Sequence, residues 1–190
     1  MPAAPLFSRI LTVGTLPPAF AEALPLPVPA DMLDPLGRLR LDRLIPFAAG
    51  AQPQTGPLLI LTSRDLAMPG CESLFGYADR KHNIAVVSTF RLRAVSPEKL
   101  THRVENEIAH EWGHLQGLEH CKRTDCVMRP VTDPAEIDTR PIAACGACPH
   151  KSLFQPSAAI AAILFLAGLA AGVNYFARPF LGAEFNAPFT

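Results

Sequence analysis

The sequence predicts a domain that combines β-strands with one long helix, and three observations carry that prediction. Short apolar, β-branched runs at 10–13, 58–61 and 83–89 read as strands. Residues 96–117 repeat apolar side chains at helical spacing. The chain has 190 residues, 49% of them hydrophobic and 18% charged, which is outside the disordered range and enough for a real core.

The elements follow in order. Of the twenty prolines, Pro2, Pro5, Pro17, Pro18, Pro25, Pro27, Pro29 and Pro35 crowd the start. Each fixes φ and removes a backbone donor, so the first forty residues, with the Pro-rich start at 1–35, should be mostly short, broken elements. The run at 10–13 closes on Gly14 as a first strand, and 18–24 can make a short helix with proline near its start. Across 36–44, Leu36, Leu39, Leu41 and Leu44 interleave with Arg38, Arg40 and Arg43, a pattern that fits strand or helix. Residues 50–57 are a polar turn region, and 58–61 is a continuous apolar run suited to a buried strand. The run at 83–89 has the highest β-branched content. Ser96, Pro97 and Glu98 start a helix with a capping hydroxyl, proline at the first helical position and an acid in the first turn. Leu100, Val104, Ile108, Trp112 and Leu115 form its apolar stripe, and Gly117 can end it in the left-handed conformation. The helix should run for about 20 residues, on the order of 30 Å. Beyond it the chain is irregular and rich in Cys, Pro and Asp, and from Ser157 it turns to Ala, Leu, Ile and Gly.

Charge narrows the partners. Seventeen basic residues balance seventeen acidic ones, so nucleic acid is not favoured. The start lacks the cationic and longer apolar regions of a secretory signal, which points to the cytosol and to cysteines that need not be disulfides.

Residues 110–120 read HEWGHLQGLEH. His110 and His114 lie one helical turn apart on one face and can meet a single metal. Glu111 flanks that metal and can take a proton from an activated water. Gly117 allows the turn that brings His120 to a third ligand position, with a fourth left open. A lone histidine reads as a surface or satisfied core residue, and HExxH alone occurs in unrelated helices. Here five specified residues fall at the HExxHxxGxxH spacing of metzincin peptidases, which favours a catalytic zinc site over a structural or vestigial one.

Cys121, Cys126, Cys145 and Cys148 form two pairs that match a closed structural zinc site. Two disulfides are the alternative, which a cytosolic setting disfavours. Such a zinc would pin the loop after the helix and fix His120 through Cys121. Met128 is either a core methionine or a Met-turn residue beneath the zinc ligands. Cys71, left over, should be a buried apolar residue.

The stretch from His110 to Cys148 resembles the archaemetzincins, whose signature runs HExxHxxGxxHC, four residues, CxM, about seventeen residues and CxxC; here sixteen residues separate Met128 from Cys145. Phe75, Gly76, Tyr77 and Ala78, then Val86, Val87, Ser88, Arg91 and Leu92, look like the family's segment before the active-site helix, and 58–65 looks like an earlier strand and turn. The resemblance covers roughly 10–148. It implies an α+β fold with a twisted mixed sheet, two helices and a zinc cleft beneath an edge strand, for which 83–88 is the candidate. It also implies zinc-dependent hydrolysis of a peptide or protein substrate, with two Zn²⁺ per chain. The rival is a non-hydrolytic two-zinc protein on the same fold. Neutral histidine ligands would set an acid limit near pH ~6.5.

The domain is expected to span 1–151, followed by a tail of 152–190 that departs from the family. Residues 158–173 are unbroken apolar, Gly168 and Gly172 form a GxxxG, and Lys151 and Arg178 flank the stretch. A membrane helix through 157–177 and a buried or partner-facing helix are both open readings.

Overall fold

The computed structural model describes residues 7–14, 16, 23–51, 56–71, 73–94, 96–145 and 148. The expected apolar tail helix, the GxxxG, most of the 18–24 segment and half of 50–57 lie outside the described residues. Among the described residues, no helix is long and apolar enough to cross a membrane.

A five-stranded sheet organises the domain. Its strands are β1 (Arg9–Val13), β2 (Leu24–Pro25), β4 (Leu58–Thr62), β6 (Gly76–Asp79) and β7 (Ile84–Ser88), in the order β2-β1-β4-β7-β6. β1, β2, β4 and β7 pair in parallel, and β6 pairs antiparallel to β7. β3 (Leu39–Arg40) and β5 (Leu66–Ala67) form a separate parallel pair. Two helices, α1 (Leu41–Ala51) and α2 (Pro97–Leu115), cover opposite faces. Successive strand residues explain this: Leu58, Ile60, Ile84 and Val86 pack with Leu41, Leu44 and Ile45 of α1, while Leu59, Leu61, Ala85 and Val87 pack with Val104 and Ala109 of α2. A strand buried on both sides needs a continuous apolar run and not an alternating one.

Three expectations change here. Strand 83–88 is not an edge: β7 lies between β4 and β6, and the edge on that side is Gly76–Asp79. Its richness in apolar residues reflects burial on both faces, which is the condition of an inner strand. The ambiguous 36–44 segment is divided: Leu39–Arg40 is strand and the helix begins at Leu41. Cys71 is exposed, in a bridge that pairs it with Met68, and not a core residue.

Helix α2 begins and ends as its sequence dictates. Ser96 is the N-cap, its Oγ accepting from the Lys99 N–H at 3.3 Å, with Pro97 in the first turn. At the other end Gly117 has φ 88°. Gly117 N–H donates to the His114 carbonyl and Leu118 N–H to the Gly113 carbonyl, both at 2.9 Å. These are the paired bonds of a Schellman ending, which requires a left-handed residue at Gly117. Beyond it, the 3₁₀ turn Pro134–Ile137 packs back on α2, where Asp138 takes Arg103 Nε at 2.5 Å and Arg103 Nη2 at 3.0 Å.

Candidate metal centre

The last two turns of α2 and the turn after it bring three imidazoles together. Their ring centroids lie 4.7 Å (His110–His114), 4.8 Å (His114–His120) and 5.4 Å (His110–His120) apart. His110 Nδ1 pairs with the Val127 carbonyl at 2.7 Å, and His114 Nδ1 with the Leu118 carbonyl at 2.9 Å. A carbonyl only accepts, so each Nδ1 carries the proton and each Nε2 presents a lone pair. Those two Nε2 atoms face each other at 3.1 Å. Two lone pairs at that distance repel unless a cation lies between them. Tetrahedral zinc with bonds of 2.0–2.1 Å would set its nitrogens roughly 3.3–3.4 Å apart. The donor set therefore fits a divalent metal, and one ligand atom from each of the three histidines falls within 4.8 Å of the others. Burial pulls the His110 pKa down to about 3 and lowers that of His114, so both rings stay neutral, as ligands must be.

Met128 is fully buried against α2. A Cβ on Gly113 would collide with its thioether sulfur, so the methionine is seated on the helix between His110 and His114. The Cys121 N–H donates to the Met128 carbonyl at 2.9 Å, closing the loop from His120 back under the cluster.

The four cysteines form a second, buried group, none of them disulfide-bonded. Cys121 Sγ and Cys145 Sγ are 3.6 Å apart, and Cys126 Sγ and Cys148 Sγ 3.7 Å. Sulfurs on one tetrahedral zinc at 2.3 Å lie roughly 3.7–3.8 Å apart. Burial raises the Cys126 thiol and, more strongly, that of Cys148. Deprotonation of such a site therefore requires a cation to offset the clustered charge.

A cleft of about 790 Å³ lies over the histidines, walled by Phe75–Ala78 on the β6 side and by Pro130–Thr132 on the other. Glu111 opens onto it and is 4% exposed. One turn earlier, Glu107 is 5% exposed, and the two carboxyl groups hydrogen-bond each other. Such a contact requires a proton on one of them. Burial, with the charge of Glu107 adding to it, pushes the Glu111 pKa up. Burial also raises Glu107, and Arg140 opposes that rise. Arg140 is 3% exposed and donates from Nε to Asn106 Oδ1 at 2.7 Å and from Nη1 to the Arg129 carbonyl at 2.6 Å. Reading the sequence did not single out Glu107, Arg140 or Arg129, nor Gly76 as a contact of the base. The i, i+4 spacing of Glu107 and Glu111 was the available signal, because it places two acids on one helix face.

The model of peptidase family M54 matches residues 55–153, just over half of the chain. The archaemetzincin of Archaeoglobus fulgidus is 36% identical over 91 residues, 48% of this chain and 56% of that protein. The archaemetzincin of Methanopyrus kandleri is 38% identical over 113 residues, 60% of this chain and 62% of that protein. The matched parts thus span about three fifths of these relatives' length. The crystal structure of the Methanopyrus kandleri protein superposes with a TM-score of 0.66 at 23% identity, covering 88% of this chain and 97% of that one, which shows a shared fold.

Proposed function

The chain belongs to peptidase family M54, and from that we propose that it is a zinc-dependent metallopeptidase acting on peptide or protein chains. His110, His114 and His120 hold the catalytic zinc, and Glu111 is the general base. The observation that carries this reading is the pair of Nε2 lone pairs converging at 3.1 Å, each fixed by a backbone carbonyl on the far side of its ring.

When bound, zinc supplies a Lewis acid that polarises the scissile carbonyl and acidifies a water at its open position. The chain's own residues do the rest. Glu111, buried on the cleft wall, accepts the water's proton and returns it to the leaving amine. The outer edge of β6, the last strand of the sheet on that side, offers backbone groups to which an extended peptide can add as a strand. Cys121, Cys126, Cys145 and Cys148 hold a second, structural zinc that pins the loop bearing His120. Met128 supports the histidines from below. The working domain is 1–151, followed by the separate tail 152–190.

Glu111→Gln tests the assignment. Both zincs should remain bound while peptide cleavage falls by at least ~10²-fold, the low end for a lost general base. Retained cleavage by a zinc-loaded Glu111→Gln protein would remove Glu111 from the mechanism. A zinc-loaded wild type that cleaves nothing in a peptide library would leave a zinc-binding protein on this fold.

A further inference from the structure

Resting on the peptidase reading, we propose that Glu107 is a positioning residue for the base: its carboxyl group holds that of Glu111 in place against the backbone of Gly76. Three observations converge on it. First, Glu107 is buried in a setting where a carboxyl group costs stability unless it is partnered. Its hydrogen bond goes to Glu111, one turn along the same helix. A residue that only filled space there would be better made of carbon.

Second, Gly76 closes the other side. An ideal Cβ at Gly76 would lie 2.7 Å from Glu111 Oε1, 2.8 Å from Glu111 Cγ and 3.0 Å from Glu107 Oε1. Both carboxyl groups therefore occupy the space that a side chain at position 76 would need. The Glu111 carboxyl group thus sits between the Gly76 position and the neighbouring acid.

Third, Arg140 anchors the neighbour. Its Nε and Nη1 are used on Asn106 and Arg129, and Asn106 Nδ2 returns a bond to the Arg140 carbonyl at 3.1 Å. Its buried Nη2 has no hydrogen-bond partner among the described residues. This fixed guanidinium acts electrostatically on Glu107 and favours an acidic side chain there. The chain of influence runs from the loop after the 3₁₀ turn, through Arg140 and Glu107, to Glu111.

The test compares Glu107→Leu, Glu107→Gln and Gly76→Ala with wild type, all zinc-loaded. Metal content, melting temperature, kcat, KM and crystal structures are read for each. Leu keeps volume but loses the hydrogen bond, so Glu107→Leu should keep its zinc and its KM. Its kcat should fall on the order of 10²-fold, the effect of roughly a 1 Å misplacement, and Glu111 should be displaced in its crystal structure. The Gln amide can donate to or accept from Glu111, so Glu107→Gln should restore both kcat and the Glu111 position. Wild-type kcat in Glu107→Leu, or an unmoved Glu111, would overturn the proposal. If Glu107→Leu does not fold, Gly76→Ala decides: the atoms nearest its methyl are side-chain atoms of Glu111 and Glu107 and not backbone, so the fold should survive with Glu111 shifted. A Glu111 in its wild-type place in Gly76→Ala would equally overturn it. If wild type cleaves no peptide, the peptidase reading fails, and the crystallographic position of Glu111 still decides the role of Glu107.

Discussion

Glu105 shows how one side chain can oppose the fold around it. It is 2% exposed, its Oε2 has no hydrogen-bond partner among the described residues, and burial pushes its pKa up to about 8. An acid that ionises near pH 4.5 unfolded but near 8 folded leaves the native state holding the extra proton between those values. Stability therefore falls as pH rises through that window. Glu105→Gln removes the titration. It should raise stability more at pH 8 than at pH 4, by on the order of a few kcal/mol, read as a larger rise in melting temperature at pH 8. Equal shifts at both pH values would count against the buried-acid account. His110 behaves in the opposite sense. Burial holds its pKa down to about 3, so this ring stays neutral where an ordinary histidine would titrate.

At the scale of elements, α2 was legible and the edge strand was not. The cap at Ser96, the stripe from Leu100 to Leu115 and the left-handed Gly117 are local signals, and local signals survive folding unchanged. The four residues of β6, Gly76–Asp79, have little strand character and exist because β7 pairs with them. Strand order is likewise a property of the whole sheet, so the strongest strand in the sequence proved to be an inner one. The 3₁₀ turn is tied to α2 by Asp138, whose pKa is held down to about 2 by its hydrogen bonds with Arg103 and, secondarily, Lys99. A depressed carboxylate stabilises the native state above the unfolded value of ~3.9 and loses that contribution as pH falls towards 2. Asp138→Asn should therefore lower the melting temperature at pH 7 and flatten its decline between pH 4 and 2. An unchanged acid limb in thermal melts would show that the ion pair adds nothing.

For the molecule as a whole, the two ligand clusters share one loop. His120 ends the first and Cys121 opens the second, while Met128 contacts the helix under the first and receives the Cys121 N–H. The histidine and cysteine spacings could be read directly, because each ligand set is fixed by a short motif. The carboxyl and guanidinium groups behind them could not, because Arg140 reaches Glu107 only after the chain has turned back along α2. The Cys145→Ser/Cys148→Ser double variant should drop from two zincs per chain to one or none. Its His120 loop should become more open to hydrogen exchange and peptide cleavage should weaken. One zinc lost with the His120 loop unchanged would show the two sites to be independent. The Schellman ending at Gly117 has a further electrostatic consequence. It stops α2 within one turn of His114, so the negative end of the helix macrodipole lies beside the three imidazoles. That end attracts cations by about 0.3–1 kcal/mol at exposed sites. The helix that spaces the ligands thus also biases the site towards positive charge before any ligand bond forms.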